Sequence, residues 1–360
     1  MWPLLALLLG FAVGSFLNVV VHRLPKGESI VFPPSRCPHC GRRLGPVDLV
    51  PVLSYLALKG RCRYCGKPIS GRYPLVEGLT GGLFLLASLR YPPSLEALLV
   101  FAFLGLLVAL AFIDLDTYEL PDGLTYGLLF LGLFSALLLG FPLPFPQAMD
   151  GALVSAGALA LIGGYGGLFL RRFREGRAEV PVGPHQVHIA ALFGALLGAG
   201  AGMALAFLSW GLSARLRRPA VLPDRAALPL LPLAMALGGG LGRGFLDALE
   251  GALLAAGALA LAGGLYWAFE PPESPEEAEG AEEEAVAVGY GDVKLLGALG
   301  AWLGPYALLG LFLGVLAGAL AGLASRQRKI PFGPYLALGG VAALFFGEAL
   351  WRGYLGWLGF

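Results

Sequence analysis

Charge is scarce in this chain. Asp, Glu, Lys and Arg make up 14% of its 360 residues, where a soluble globular domain carries roughly 25%. In a chain so apolar, that deficit excludes an ordinary water-soluble globule. It also excludes disorder, which needs low hydrophobicity and high net charge. The signs nearly cancel, 25 basic residues against 24 acidic, for a formal net charge of +1, so no global field gathers nucleic acid. Cysteine is scarcer still. The four present fall between positions 37 and 65, whereas a secreted disulfide scaffold is small and spreads its cysteines. The N-terminus lacks a charged leading segment and an A-x-A-like cleavage site, while Trp2 to Val21 is long enough to cross a bilayer. The expectation is an uncleaved first span rather than a signal peptide.

Apolar sequence is what the chain has in excess: 57% of residues are hydrophobic and the mean hydropathy is +0.74. The 55 Gly and 27 Pro fit membrane helices, where both are better tolerated than in water. At about 20 apolar residues per crossing, spans are expected near 2–21, 74–90, 95–115, 124–141, 150–170, 187–199, 200–214, 227–241, 247–269, 293–303, 305–323 and 331–350. The expected fold is therefore an all-α polytopic membrane protein with about twelve transmembrane helices and a small zinc-binding cytoplasmic loop domain. The 293–303 segment is short for a span and makes the count around Gly304 and Pro305 the least secure.

Loop charge sets the expected orientation. Residues 22–73 hold ten Lys or Arg against Glu28 and Asp48, which places this loop in the cytoplasm under the positive-inside rule. Alternation then puts Arg171, Arg172, Arg174 and Arg177, then Arg215, Arg217, Arg218 and Arg225, and finally Arg326, Arg328 and Lys329 on the same side. The stretch 270–284 has eight Glu and no Lys or Arg. Acidic residues weigh little in orientation, and the segment 270–288 reads as a solvated linker.

The chain repeats itself. Gly151 to Gly164 matches Gly251 to Gly264 at 11 of 14 positions, Val182 to Gly198 matches Val288 to Gly304 at 7 of 17, and Pro229 and Pro232 echo Pro331 and Pro334. Three matches in one order indicate a duplication of about four spans, an even number that keeps everything downstream on its original face. The expected divisions are 1–21, the first helix; 22–73, the zinc-knuckle domain; 74–149, membrane helices; 150–246, the first repeat copy; and 247–360, the second.

Three motifs carry chemistry. Cys37-Pro-His-Cys40 and Cys62-Arg-Tyr-Cys65 offer four thiolates in two tight pairs, the donor set of a structural tetrahedral zinc site with no open position. Nearby Arg and Lys favour the thiolate; the alternative is two structural or redox pairs without metal, and His39 reads as a solvated knuckle residue. The second motif runs from Phe112 to Asp122 and includes Asp114, Asp116, Pro121 and Asp122. The third is Gly289-Tyr-Gly291-Asp292-Val-Lys294. Both place acids at the cytoplasmic end of an apolar helix, where a carboxylate is costly and points to function. Helix capping is the plainer role for Asp292. If one Asp from each motif meets in a semi-dry cleft, two unit charges about 4 Å apart at an effective dielectric near 20 repel by roughly 4 kcal/mol, or about three pKa units. Such a pair holds one shared proton, so one carboxylate activates water while the other protonates the carbonyl or leaving group.

Gly14-Ser-Phe-Leu-Asn-Val-Val-Val-His-Arg-Leu-Pro25, the two CxxC pairs, Arg72-Tyr-Pro-Leu-Val-Glu77, Phe112 to Asp122, Gly289 to Leu296 and Ile330 to Ala337 occur together and in order. In this ensemble the chain resembles the bacterial type IV prepilin peptidases, membrane aspartyl enzymes of the GxGD type also described as leader peptidase and N-methyltransferase. The resemblance implies Asp114 and Asp292 as the catalytic pair, with Gly289, Gly291 and Lys294 in support and Asp116 or Asp122 as alternatives. It implies cleavage of class III signal peptides on the cytoplasmic side after a glycine. Methylation of the new N-terminus from S-adenosylmethionine would follow. Arg72 and Glu77 are cofactor candidates by resemblance only, with helix-end capping as their alternative; there is no Gly-rich nucleotide loop. Implied partners are prepilins or pseudopilins, the lipid bilayer and a second copy of the chain, with no nucleic acid. The implied location is the bacterial inner membrane, with both sites facing the cytoplasm.

The chain departs from that family in its four extra spans over an eight-span core. In the first copy, Gln186 stands where Asp292 stands in the second and cannot ionise, and Pro184 replaces the flexible approach, so this copy is expected to be noncatalytic. His185 and His188 lack a third metal ligand. Two rival functions remain: a transporter with paired repeats, and a noncatalytic pilus or secretion assembly factor that docks through zinc knuckles.

Overall fold

The structure, a computed structural model, describes residues 1–169, 184–216, 224–240, 242, 244–269, 288–325 and 330–358. The loops bearing Arg171 to Arg177, Arg217 and Arg218, Arg326 to Lys329, Gly183 and the acidic stretch 270–287 lie outside the described residues. Among the described residues there is no extended sheet, only two isolated bridges, Arg36 with Arg43 and Arg61 with Pro68. The helices are α1 (Trp2–Arg23), a short α2 (Leu53–Ala57), α3 (Arg72–Arg90), α4 (Leu95–Thr117), α5 (Asp122–Leu139), α6 (Phe145–Phe169), α7 (Pro184–Leu197), α8 (Ala199–Leu216), α9 (Asp224–Gly240), α10 (Phe245–Phe269), α11 (Tyr290–Leu303), α12 (Tyr306–Ser325) and α13 (Gly333–Leu358).

Every expected span falls on one of these helices. Seven of them, α1, α4, α5, α6, α10, α12 and α13, are long and apolar enough to cross a membrane, and α7, α8 and α9 are shorter apolar helices. The protein is thus an all-α polytopic membrane protein, but twelve crossings do not follow. With 14 residues, α11 rises about 21 Å, less than the roughly 30 Å of a hydrocarbon core.

The chain divides into two compact units, one of Met1–Pro121 with Arg328–Ala337, the other of Asp122–Gln327 with Leu338–Phe360. In the first, α1 packs closely on α3. A methyl group on Gly10 would sit 2.7 Å from the Gly81 Cα, and one on Gly14 would sit 2.7 Å from the Glu77 Cα, so small residues let the two backbones touch. Phe84 stacks on Phe101 at 4.3 Å between centroids and joins α3 to α4. Ser94 caps α4 by accepting from the Ala97 N–H. Tyr118 ends that helix in a left-handed conformation, φ 58°, its N–H on the Asp114 carbonyl.

The second unit shows the repeat as packing. Helices α6 and α10, the matching segments, cross at matching residues. A methyl on Gly157 would lie 2.1 Å from the Leu253 carbonyl oxygen, and one on Gly257 would lie 1.9 Å from that of Leu153. Gly151 of α6 meets Gly300 of α11, and its counterpart Gly251 of α10 meets Gly194 of α7. Each copy's second helix therefore packs on the first helix of the other copy, α11 on α6 and α7 on α10.

Candidate active site

Four thiols gather on the loop between α1 and α3. The Sγ atoms of Cys37, Cys40, Cys62 and Cys65 all lie within 4.8 Å of one another, with Cys37 and Cys65 3.9 Å apart. A tetrahedral ion with bonds of about 2.3 Å to sulfur sets its ligands at about 3.8 Å, so the cluster can hold a metal ion. Both pairs use one turn. The Gly41 N–H bonds to the Cys37 carbonyl and the Gly66 N–H to that of Cys62, each glycine at a left-handed φ of 67° or 68°. Burial resists ionisation of Cys37, but the backbone N–H groups of Cys40 and His39 and the neighbouring thiols bring it down to about 6. At Cys65 the Lys67 N–H works downward, yet burial and the other three thiols push it up to about 11. A cation bound by all four sulfurs would displace their protons. His39 turns its ring to the Pro68 carbonyl, 3.2 Å away. Asp48 braces the loop through Arg63 at 2.6 Å and the Tyr64 hydroxyl, and the Arg63 guanidinium holds its carboxyl below the usual carboxylate range.

Asp114, one turn from the end of α4, is 5% exposed. Its Oδ2 accepts the Gly333 N–H at 2.9 Å, at the first residue of α13. A methyl on Gly333 would lie 2.8 Å from that oxygen, so only glycine leaves the approach open. Asp116, two residues on, is bound elsewhere. Arg72 places Nη1 at 2.6 and 2.5 Å from its two oxygens, gives Nη2 to the Phe112 carbonyl at 2.9 Å, and lies over the Phe112 ring at 5.2 Å. Glu77 is 8% exposed and accepts the Val52 N–H at 2.7 Å, holding a residue at φ 60°. Both cofactor candidates are thus engaged with the protein's own groups.

Asp292 stands in the first turn of α11. Gly289 caps that helix in an extended conformation, and a methyl on it would lie 3.1 Å from the Asp292 Oδ2. Lys294 is 8% exposed. Its ammonium bonds to Asp122, the first residue of α5, and lies 5.7 Å from the ring centres of Tyr126 and Tyr290. Tyr126 donates to the Leu261 carbonyl at 2.8 Å and Tyr290 to that of Ala260. In the first copy, the corresponding Gln186 and His188 are both buried. Asp114 belongs to the first unit and Asp292 to the second. Sequence reasoning passed over the Gly333 contact and the partners of Asp116 and Asp122; a glycine between two prolines at a helix start was the available signal.

The signature of the type IV leader peptidase family matches residues 101–214 and 218–323, more than half of the chain. The chain belongs to the type IV leader peptidase family. The signature described as the bacterial peptidase A24 N-terminal domain covers residues 8–91 of this family member, which include the thiol cluster. A protein of Aeromonas hydrophila named prepilin leader peptidase/N-methyltransferase is 32% identical over 98% of this chain and 93% of its own length. One of that name from Burkholderia pseudomallei strain 1026b is 31% identical over 95% and 84%. Another of Myxococcus xanthus is 49% identical over 41% of this chain and 43% of its own. No solved structure matches the chain.

Proposed function

We propose that Asp114 and Asp292 are the aspartyl dyad with which this chain removes the leader from type IV prepilins. The chain is a prepilin leader peptidase, as its family is named, with the methyltransferase activity that its full-length relatives' names carry. A transporter is not favoured. The observation that carries the dyad is the setting of each acid. Each stands near the end of an apolar helix, beside a glycine where a side chain would crowd the carboxylate. In the proposed step the ionised carboxylate takes a proton from water, the water oxygen attacks the scissile carbonyl, and the protonated partner gives its proton to the carbonyl oxygen. Roles for Asp116 and Asp122 as the dyad's first member are less well supported, since each is ion-paired.

The thiol cluster suits zinc in a structural role, because four sulfur donors leave no position for substrate. The methyltransferase name implies S-adenosylmethionine as donor. Arg72 and Glu77 are spent on Asp116, Phe112 and Val52, so they do not fit it. Cytoplasmic placement of the loop is supported by its ten basic residues against two acidic ones. The division into a noncatalytic copy, 150–246, and an active one, 247–360, is supported by the reciprocal glycine contacts and by Gln186.

The deciding experiment mixes the purified chain with a prepilin and follows leader loss and N-terminal mass. Asp114→Asn and Asp292→Asn should each abolish cleavage, and Gln186→Ala should retain it. Cleavage by Asp114→Asn that is lost in Asp116→Asn would move the assignment to Asp116.

A further inference from the structure

Each motif aspartate is followed, two residues later, by a charged residue paired with the first residue of another helix. Asp116 follows Asp114 and binds Arg72, which opens α3. Lys294 follows Asp292 and binds Asp122, which opens α5. Two residues turn an α-helix by roughly 200°, so the pair grips the face opposite the aspartate. The polarity is reversed between the two, an acid held by a base on α4 and a base held by an acid on α11. Each grip has more than one bond. Arg72 also ties the Phe112 carbonyl, two residues before Asp114 on α4, and Lys294 is walled by the rings of Tyr126 and Tyr290.

We infer that Arg72–Asp116 and Lys294–Asp122 are positioning pairs for leader cleavage, each anchoring the back of its own helix so that Asp114 on α4 and Asp292 on α11 are held in place. The inference rests on the proposed dyad. All four side chains are engaged with each other across helices, Arg72 with Asp116 and Lys294 with Asp122. A displacement of about 1 Å at a reacting group costs on the order of 100-fold in rate, so loosening either grip is expected to lower kcat and spare KM.

The test uses the full chain in lipid with a purified prepilin, measuring kcat and KM for Asp116→Asn, Arg72→Lys, Lys294→Gln and two charge exchanges, Arg72→Asp with Asp116→Arg and Asp122→Lys with Lys294→Asp. Thermal unfolding is followed in parallel. Expected results are a kcat lower by about 10- to 100-fold, KM within about twofold, and recovery of at least several-fold in the exchanges over the matching single variants. Wild-type kcat in both Asp116→Asn and Lys294→Gln overturns the inference, as does a raised KM at unchanged kcat, which would make these residues substrate contacts. A variant that unfolds, with an exchange that restores folding and not kcat, also overturns it. Cleavage by Asp114→Asn or Asp292→Asn in the same assay would instead sink the dyad itself.

Discussion

At the scale of single residues, Asp114 is defined by its neighbour Gly333. The carboxylate accepts a backbone N–H, and the missing side chain at that position is what lets it do so. A methyl there would stand 2.8 Å from Oδ2 and 3.1 Å from Cγ, closer than nonbonded atoms tolerate, and Asp114 would have to swing away. On the proposed dyad, Gly333→Ala should therefore lower kcat by about 10- to 100-fold, the loss that displacement of a reacting group brings. The unfolding midpoint should move little, because the clash is with a side-chain tip. Unchanged kcat would show that Asp114 can shift without consequence. Asp114 was a candidate from sequence, through the family resemblance of the Phe112 to Asp122 motif. Gly333 was not, because 219 residues separate the two.

At the scale of elements, the loop between α1 and α3 has too few apolar contacts to hold itself. Cys37 and Cys62 are its buried hydrophobic residues, and its fixed points are the two glycine turns, the Asp48–Arg63 pair and the bond from Val52 to Glu77. A metal at the four thiols would supply what a core does elsewhere. Metal analysis should find one zinc per purified chain. Cys62→Ser should lose it and leave the loop open to proteolysis while α1, α3 and α4 persist. Zinc should also be released as pH falls, since protons compete for the thiolates. A full complement of metal in Cys62→Ser would reject the site. The pairing of the two CxxC motifs was legible because each needs only a five-residue turn. The Glu77 tether was not, since a buried acid on α3 gives no hint of which loop N–H it meets.

At the scale of the molecule, the matching helix pairs α6–α7 and α10–α11 interlock within the second unit. The crossing of α6 and α10 leaves no room for a side chain at Gly157, whose added methyl would meet backbone that cannot rotate aside. Gly157→Val should destabilise the protein by about 1–3 kcal/mol and lower its unfolding midpoint; an unchanged midpoint would mean the copies do not rely on that crossing. Sequence alone determined that the chain is helical and membrane-bound, where the helices lie, that it repeats, and which acids and thiols are the candidates for its chemistry. These depend on local composition, short spacings and order along the chain. It could not decide how many helices cross, since α11 is helical but short. Only the tertiary structure decided which charges answer one another, Arg72 with Asp116 across 44 residues and Lys294 with Asp122 across 172. Hydropathy settles that a helix is buried in lipid or protein, but the partner of a charge is set by the path the chain takes between them.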